Sequence, residues 1–491
     1  MSLNSVSFFL FFLVVWGAYW RLPHRKQNAF LVVASYAFYC FWDYRFLVLV
    51  LISTTVDFWI ARRMASTDGE RRRQRYLWAS LAVNLGILGF FKYFNFFLDG
   101  AFAILNACGG DAAQWHLNIV LPIGISFYTF KTLSYTIGVY GREIEPTRNW
   151  IDYAAYVAFF PQLLSGPIDR AAALLPQIES PRAFSVSLIR TGVWLFTWGL
   201  FKKVVVADNL AHLADPAFSP ALAVSASYAW AALYAYALQL YCDFSGYTDM
   251  ARGVATLLGF KTAINFRNPF FAANPIDFWQ RWHISLSSWI QDYVYFPLAA
   301  HALRKSTSAW NQYWPHVFTM VLIGLWHQAQ MTNIIFGFYW GLALVAYNLY
   351  RAWRKKRMKR SGRRTSGARP APPSLAGRLF AIALLFHAVC LSFVLFRSPS
   401  MAEAFRTYGV LFGLSANGPV AGGLATLNAY LAMLLLYSPV LAVQIQQERY
   451  GDLLYPLSMS LLPRILLYAA MAILLLTLGK TDGGAFIYIQ F

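Results

Sequence analysis

Apolar runs of about 20 residues recur from one end of this chain to the other, and no other feature constrains its fold as strongly. A run of that length crosses the hydrocarbon of a bilayer as a helix. It cannot cross as an open strand or loop, because lipid offers no partner to a free backbone N–H or C=O. The composition agrees: 58% of the 491 residues are hydrophobic, 13% are charged and the mean hydropathy is +0.45. Soluble domains carry about 25% charged residues. The expected fold class is all-α, a polytopic membrane protein.

The net charge of +20 comes from 41 Lys and Arg against 21 Asp and Glu. In a soluble chain such an excess points to nucleic acid. Here the basic residues cluster between apolar runs, where membrane orientation and attraction to anionic lipid explain them, so the expected partner is membrane lipid and not nucleic acid. Cys40, Cys108, Cys242 and Cys390 are scattered without a CxxC pair, which gives neither a zinc site nor a disulfide framework. Arg21, Arg25 and Lys26 follow the first apolar core instead of preceding it, the pattern of a retained first span and not of a cleaved signal peptide.

In chain order, spans are expected at 5–20, 28–42, 45–60 and 76–98. Basic turns after the first and third spans, the second with six arginines between Arg62 and Arg75, place those turns in the cytoplasm and the N-terminus on the far side. A fifth span begins near 119, where Pro122 and Gly124 break or kink its start, and holds Lys131, which needs a partner if it lies at mid-depth. The segment 153–170, broken by Pro161, Gly166 and Pro167, has the character of a re-entrant or buried irregular stretch. Further spans are expected at 188–206, closed by Lys202 and Lys203, and at 226–247. Past the second of these, Asp249 and Arg252 stand at helical pairing distance. Trp279, Trp282, Leu286 and Trp289 would share one face of an amphipathic helix over 275–295, ended by Pro297. Spans at 313–329 and 333–350 follow.

Ten Lys or Arg between Arg351 and Arg369, then prolines, mark a basic cytoplasmic loop over 351–377. It divides a core of residues 1–350 from C-terminal helices within 378–491, with spans near 378–396, 424–443 and 463–479. The tail KTDGGAFIYIQF is expected on the outer side.

Of eight histidines, six have ordinary explanations, among them His316 near the start of a span and His387 as a hydrogen-bonded structural residue. His327 differs. It lies in an apolar stretch but is followed by Gln328, Gln330 and Asn333, a polarity that suits a cavity better than lipid. His283 is framed by Arg281, Ser285, Ser287 and Ser288, a setting that equally suits a solvated interfacial histidine. There is no HExxH, GxSxG or Gly-rich phosphate loop. A histidine general base working near neutral pH is the simplest chemistry left. No metal is expected.

Six blocks carry a resemblance: LPIGISFYTF at 121–130, FFPQLLSGPIDR at 159–170, GLFKKVVVADNLA at 199–211, QLYCDFSGYTDMARGVATLLGF at 239–260, FWQRWHISLSSWIQDYVYFPL at 278–298 and GLWHQAQMTNIIFGFYWG at 324–341. In this order they resemble the membrane-bound O-acyltransferase family, in its bacterial branch of alginate O-acetyltransferase membrane subunits and teichoic acid D-alanyl transfer proteins. FIYIQF at the end also fits. The resemblance implies roughly 11–13 transmembrane or re-entrant helices around a central tunnel. It implies His327 as the catalytic histidine and His283 as the second polar residue of the tunnel, with Trp326, Arg281, Asp243, Gln328 and Asn333 as candidate substrate-binding residues. No bound cofactor is implied. The co-substrate would be acetyl-CoA or another acyl thioester, and the partner a periplasmic SGNH-type acetyltransferase at a bacterial inner membrane. The chain departs from the branch at Gln328, where a glycine is usual, at Tyr339-Trp340-Gly341 in place of WHG, and at Ala299-Ala300 in place of Gly-Gly. Two other functions stay open at this point: a glycan-precursor transporter or flippase, and a non-catalytic scaffold for a periplasmic acetyltransferase.

Overall fold

A computed structural model describes residues 1–110, 115–218, 224–360, 374–414 and 423–480. The tail from 481, including FIYIQF, and residues 361–373 of the basic loop lie outside the described residues. Among the described residues there is no strand. In order, the helices are α1 (Val6–Tyr19), α2 (His24–Asp43), α3 (Leu47–Ala65), α4 (Glu70–Leu88), α5 (Phe94–Ala107), α6 (Ile125–Tyr140), α7 (Trp150–Val157), α8 (Phe160–Leu163), α9 (Ala171–Glu179), α10 (Val186–Leu200), α11 (Asp208–Phe218) and α12 (Ala226–Leu257). Then come α13 (Pro275–Trp279), α14 (Ile284–Ile290), α15 (Phe296–Lys305), α16 (Ala309–His327), α17 (Met331–Arg360), α18 (Leu375–Arg397), α19 (Met401–Leu411), α20 (Gly423–Tyr450), α21 (Tyr455–Ser458) and α22 (Leu461–Leu478).

Six helical segments among the described residues are long and apolar enough to cross a membrane: His24–Ala65, Glu70–Ala107, Met331–Met358, Leu375–Arg397, Gly423–Tyr450 and Leu461–Leu478. The first is divided at Asp43, which is extended (φ −158°, ψ 107°) and caps the turn into α3 through its carboxylate. That turn separates the two spans expected at 28–42 and 45–60. The first expected span is the 14-residue apolar α1. The stretches expected at 188–206 and 226–247 are helical, and that expected at 313–329 is helical as far as His327.

The chain forms two compact units. One holds Met1–Val205, Asp243–Ala263 and the segment from Ser460; the other holds Val206–Cys242 and Ile264–Met459. In the first, α3, α4 and α6 pack around a buried polar cluster. Ser80 Oγ and Asn84 Nδ2 donate to the two Asp57 carboxylate oxygens at 2.6 and 2.7 Å, and Thr132 Oγ1 donates to Asn84 Oδ1 at 3.0 Å. A polar group left unpaired at such depth costs several kcal/mol (roughly 2–7), so these bonds fix which helix faces meet. Lys131 is fully buried and has the partner it needs, donating to Gln162 Oε1 at 3.0 Å. The segment 153–169 is buried throughout, an irregular stretch walled by protein.

Two expectations are corrected here. Lys202 and Lys203 do not close a span at the surface; both are buried, with Lys202 Nζ 2.7 Å from Asp249 and Lys203 Nζ 2.7 Å from Asp243. Burying an ammonium is tolerated because each faces a carboxylate. Asp249 also takes Arg252 at 3.0 Å, the pairing their spacing predicts. The amphipathic helix over 275–295 is broken at His283, and Pro297 stands in the first turn of α15 instead of ending a helix.

Candidate active site

In the second unit the α16–α17 hairpin sets the position of His327. The two helices approach closely because Gly324 and Gly337 lack side chains: a Cβ on Gly324 would overlap the Asn333 carbonyl oxygen, and one on Gly337 the Met320 carbonyl oxygen. At Gly341 a Cβ would stand 2.7 Å from Val317 Cα. His327 is the last residue of α16, and Gln328 turns the chain into extended conformation (φ −150°, ψ 136°). The imidazole is therefore carried on a rigid element, 7% exposed. The Phe396 ring of α18 meets it edge-on at 5.2 Å.

His283 arrives by another route. It adopts left-handed backbone geometry (φ 43°, ψ 53°) between α13 and α14. Asn265 holds it there. Ile284 N donates to Asn265 O at 2.9 Å, and Ser285 Oγ donates to Asn265 Oδ1 at 2.5 Å. Nearby, Arg267 N donates to Arg281 O at 3.0 Å. These backbone bonds to 265–267 replace the helical bonds that the tryptophan spacing predicts. A non-glycine residue in the left-handed region costs roughly 1–3 kcal/mol, and such strain gathers where a side chain must be aimed. His283 is 1% exposed and lies outside the six apolar segments; burial pushes its imidazole down to about 3, so the ring is neutral at physiological pH.

The two imidazoles lie with ring centroids 6.4 Å apart and their planes inclined by 45°. Trp326 lies beside both, at 6.1 Å from His283 and 5.0 Å from His327. The pair thus brings two groups able to accept or donate a proton into one buried neighbourhood. Gln328 and the buried Asn333 adjoin the pair, with Asn333 Nδ2 3.5 Å from Gln328 Oε1.

Arg281 and Asp243 are the remaining sequence candidates. Arg281 does not carry a free guanidinium: Nε donates to Asp277 at 2.7 Å and one terminal nitrogen to Glu448 of α20 at 2.8 Å. It braces the turn that carries His283. Asp243 belongs to the first unit, in its ion pair with Lys203. Asn265 and Glu448 were not legible in the sequence as part of this site, since their bonds to Ser285 and Arg281 join separate segments of the chain. Arg281→Ala is expected to lower stability by about 1–3 kcal/mol and to depress activity. Arg281→Lys should not restore either, because one ammonium cannot bridge two carboxylates as a planar guanidinium does. Thermal melting and turnover of both variants, compared with Glu448→Ala, check this.

A cavity of about 270 Å³ lies in the same unit, lined by Trp279, Gln280, Tyr295, His316, Ile323 and Asn348 among others. His316 Nε2 is 3.0 Å from Tyr295 Oη and 3.4 Å from Asn348 Nδ2. His316, Met320 and Ile323 share the α16 face that ends in His327, about 16 Å farther along by helical rise.

The model of the family described as membrane-bound O-acyltransferase matches residues 118–393. The chain is 38% identical over 410 residues to the Pseudomonas aeruginosa protein named "Probable alginate O-acetylase AlgI", an alignment covering 83% of this chain and 74% of that one. It is 31% identical over 411 residues to the Helicobacter pylori peptidoglycan O-acetyltransferase, covering 78% and 73%. Similarity to the Streptococcus thermophilus teichoic acid D-alanyltransferase is 29% over 287 residues, covering 56% and 68%.

Proposed function

The chain belongs to the membrane-bound O-acyltransferase family, and we propose that it takes an acetyl group from acetyl-CoA at the cytoplasmic face of a bacterial inner membrane and delivers it outward for O-acetylation of an exported or cell-surface polysaccharide. That it is a multi-pass membrane O-acyltransferase follows from the family. The choice of acetyl and polysaccharide rests on the relatives of higher identity, whose names are alginate O-acetylase and peptidoglycan O-acetyltransferase.

The observation that supports the mechanism is the close approach of the two buried imidazoles. His327 takes the proton of an acceptor hydroxyl as its oxygen attacks the thioester carbonyl. The carbonyl oxygen gains negative charge, and neutral His283 orients the acceptor or stabilises that charge. The C–S bond then breaks, and the departing thiolate recovers the proton from His327. Thus a C–O bond replaces a C–S bond with no net change in protons. Walls of Trp326 and Phe396 limit water, which would otherwise hydrolyse the thioester.

The His316 cavity supports a donor approach along α16. It lies beside Asn348, just before the basic run that starts at Arg351 on α17, a run that favours the cytoplasmic side and would attract the phosphates of CoA. Asn348→Leu is expected to raise KM for the thioester with kcat largely kept, a loss of uniform binding. A periplasmic SGNH-type acetyltransferase is the proposed receiver, with the N-terminus of this chain on its side of the membrane. Labelling cells with radioactive acetate tests the reading. A strain lacking this protein should make its polysaccharide without labelled acetyl groups. Loss of the polymer itself, or loss of D-alanyl in place of acetyl substitution, would overturn it.

A further inference from the structure

A second, larger cavity of about 650 Å³ lies in the first unit, where α3 and α6 end. Beside the buried Arg73, six further charged side chains line it: Arg62, Arg142 and Arg148, with Asp68, Glu143 and Glu145. All six are exposed, and none of them makes an ion pair with another charge in the described residues. Three positive and three negative groups thus face one concavity without neutralising one another.

Its floor is fixed. Arg73, also in the lining, is 4% exposed and donates to the last carbonyls of α6, to Val139 O at 3.1 Å and Tyr140 O at 2.7 Å. Thr67 Oγ1 and Ser66 Oγ donate to Arg63 O near the end of α3, at 2.7 and 3.1 Å. The helix-end carbonyls are therefore occupied, and the charged rim is left for something else.

The depth of the cavity says what. Val48, Ile52 and Trp59 lie at helical spacing on one face of α3 and are 51%, 42% and 54% exposed, an apolar stripe suited to acyl chains. The stripe leads to Arg62, whose guanidinium stands over the rings of Phe58 and Trp59 at 5.6 and 5.8 Å. A tryptophan under a cation at the end of an apolar helix marks the headgroup level.

We propose that this cavity binds the phosphoethanolamine headgroup of a zwitterionic phospholipid, its phosphate on Arg62, Arg142 and Arg148, its ammonium on Asp68, Glu143 and Glu145, and an acyl chain along the α3 stripe. Guanidinium forks match phosphate oxygens. A purely anionic ligand would meet three carboxylates, and a quaternary ammonium has no N–H to offer them. The volume lies in the range of small-molecule sites, about 300–1,000 Å³.

The test uses the full-length protein purified from vesicles containing equal parts of phosphatidylethanolamine, phosphatidylcholine and phosphatidylglycerol, with retained lipid counted by native mass spectrometry. Phosphatidylethanolamine should be retained preferentially. Both R62Q/R148Q and E143Q/E145Q should reduce that retention about tenfold, equivalent to 1.4 kcal/mol, with unchanged melting of these surface variants. Equal retention of all three lipids would overturn the proposal. So would a preference for phosphatidylglycerol that E143Q/E145Q leaves intact, which means an anion site. Binding of soluble glycerophosphoethanolamine with no lipid retained would also overturn it, by making the ligand a soluble one.

Discussion

Replacing His327 with alanine is expected to abolish acyl transfer while leaving the protein inserted and folded. A positioned general base supplies roughly 10²–10⁴-fold in rate, and His283 is not expected to replace it. His283 approaches the same space from a separate segment that Asn265 holds in its own geometry. The fold should tolerate the change, since His327 ends α16 and close glycine contacts hold the hairpin together. The measurement is acetyl transfer in membranes, beside protein abundance and melting temperature. His327→Ala with substantial activity would remove the residue from the catalytic role. Loss of activity together with loss of the protein would show a structural one.

Replacing Gly324 with valine should do the opposite: damage the fold first and the chemistry as a consequence. Any Cβ at that position meets the backbone carbonyl of Asn333, which is the start of the facing helix and cannot rotate away. Overpacking of this kind costs about 1–3 kcal/mol where side chains yield, and more is expected where the obstacle is backbone. The hairpin would splay next to the residue that closes the gap to His283, so both melting temperature and turnover should fall. Gly86→Val is the control: a Cβ there meets nothing within 4 Å. That variant should keep both properties. A Gly324→Val protein with wild-type melting would show that the α16–α17 approach is looser than its packing indicates.

Several of these features could be read along the chain because they depend on local pattern. Runs of apolar residues dictate helices wherever lipid denies the backbone other partners, and Asp249–Arg252 follows from helical spacing alone. His327 stands out in the sequence as a candidate because polar residues cluster after it in an apolar context. His283 was harder, since an interfacial histidine with the same neighbours is ordinary. The tryptophan spacing around it even predicts an unbroken helix. That prediction fails because Asn265, 18 positions earlier (283 − 265), supplies backbone bonds that compete with helical ones, and spacing carries no record of a distant competitor. Arg281 was legible as a charge near the site but not as a brace, because its partner Glu448 is 167 residues away. Lys202 and Lys203 resembled a membrane boundary until acidic residues of α12 met them inside the protein.

By itself, then, the sequence determined the medium, the helical class and the family, all of which are written in residue order and composition. Only the tertiary structure decided that two imidazoles from separate segments stand 6.4 Å apart, and that four arginines and three carboxylates share one concavity at the end of α3. Such meetings are set by hydrogen bonds and close packing between residues far apart in the chain, and neither periodicity nor spacing encodes them.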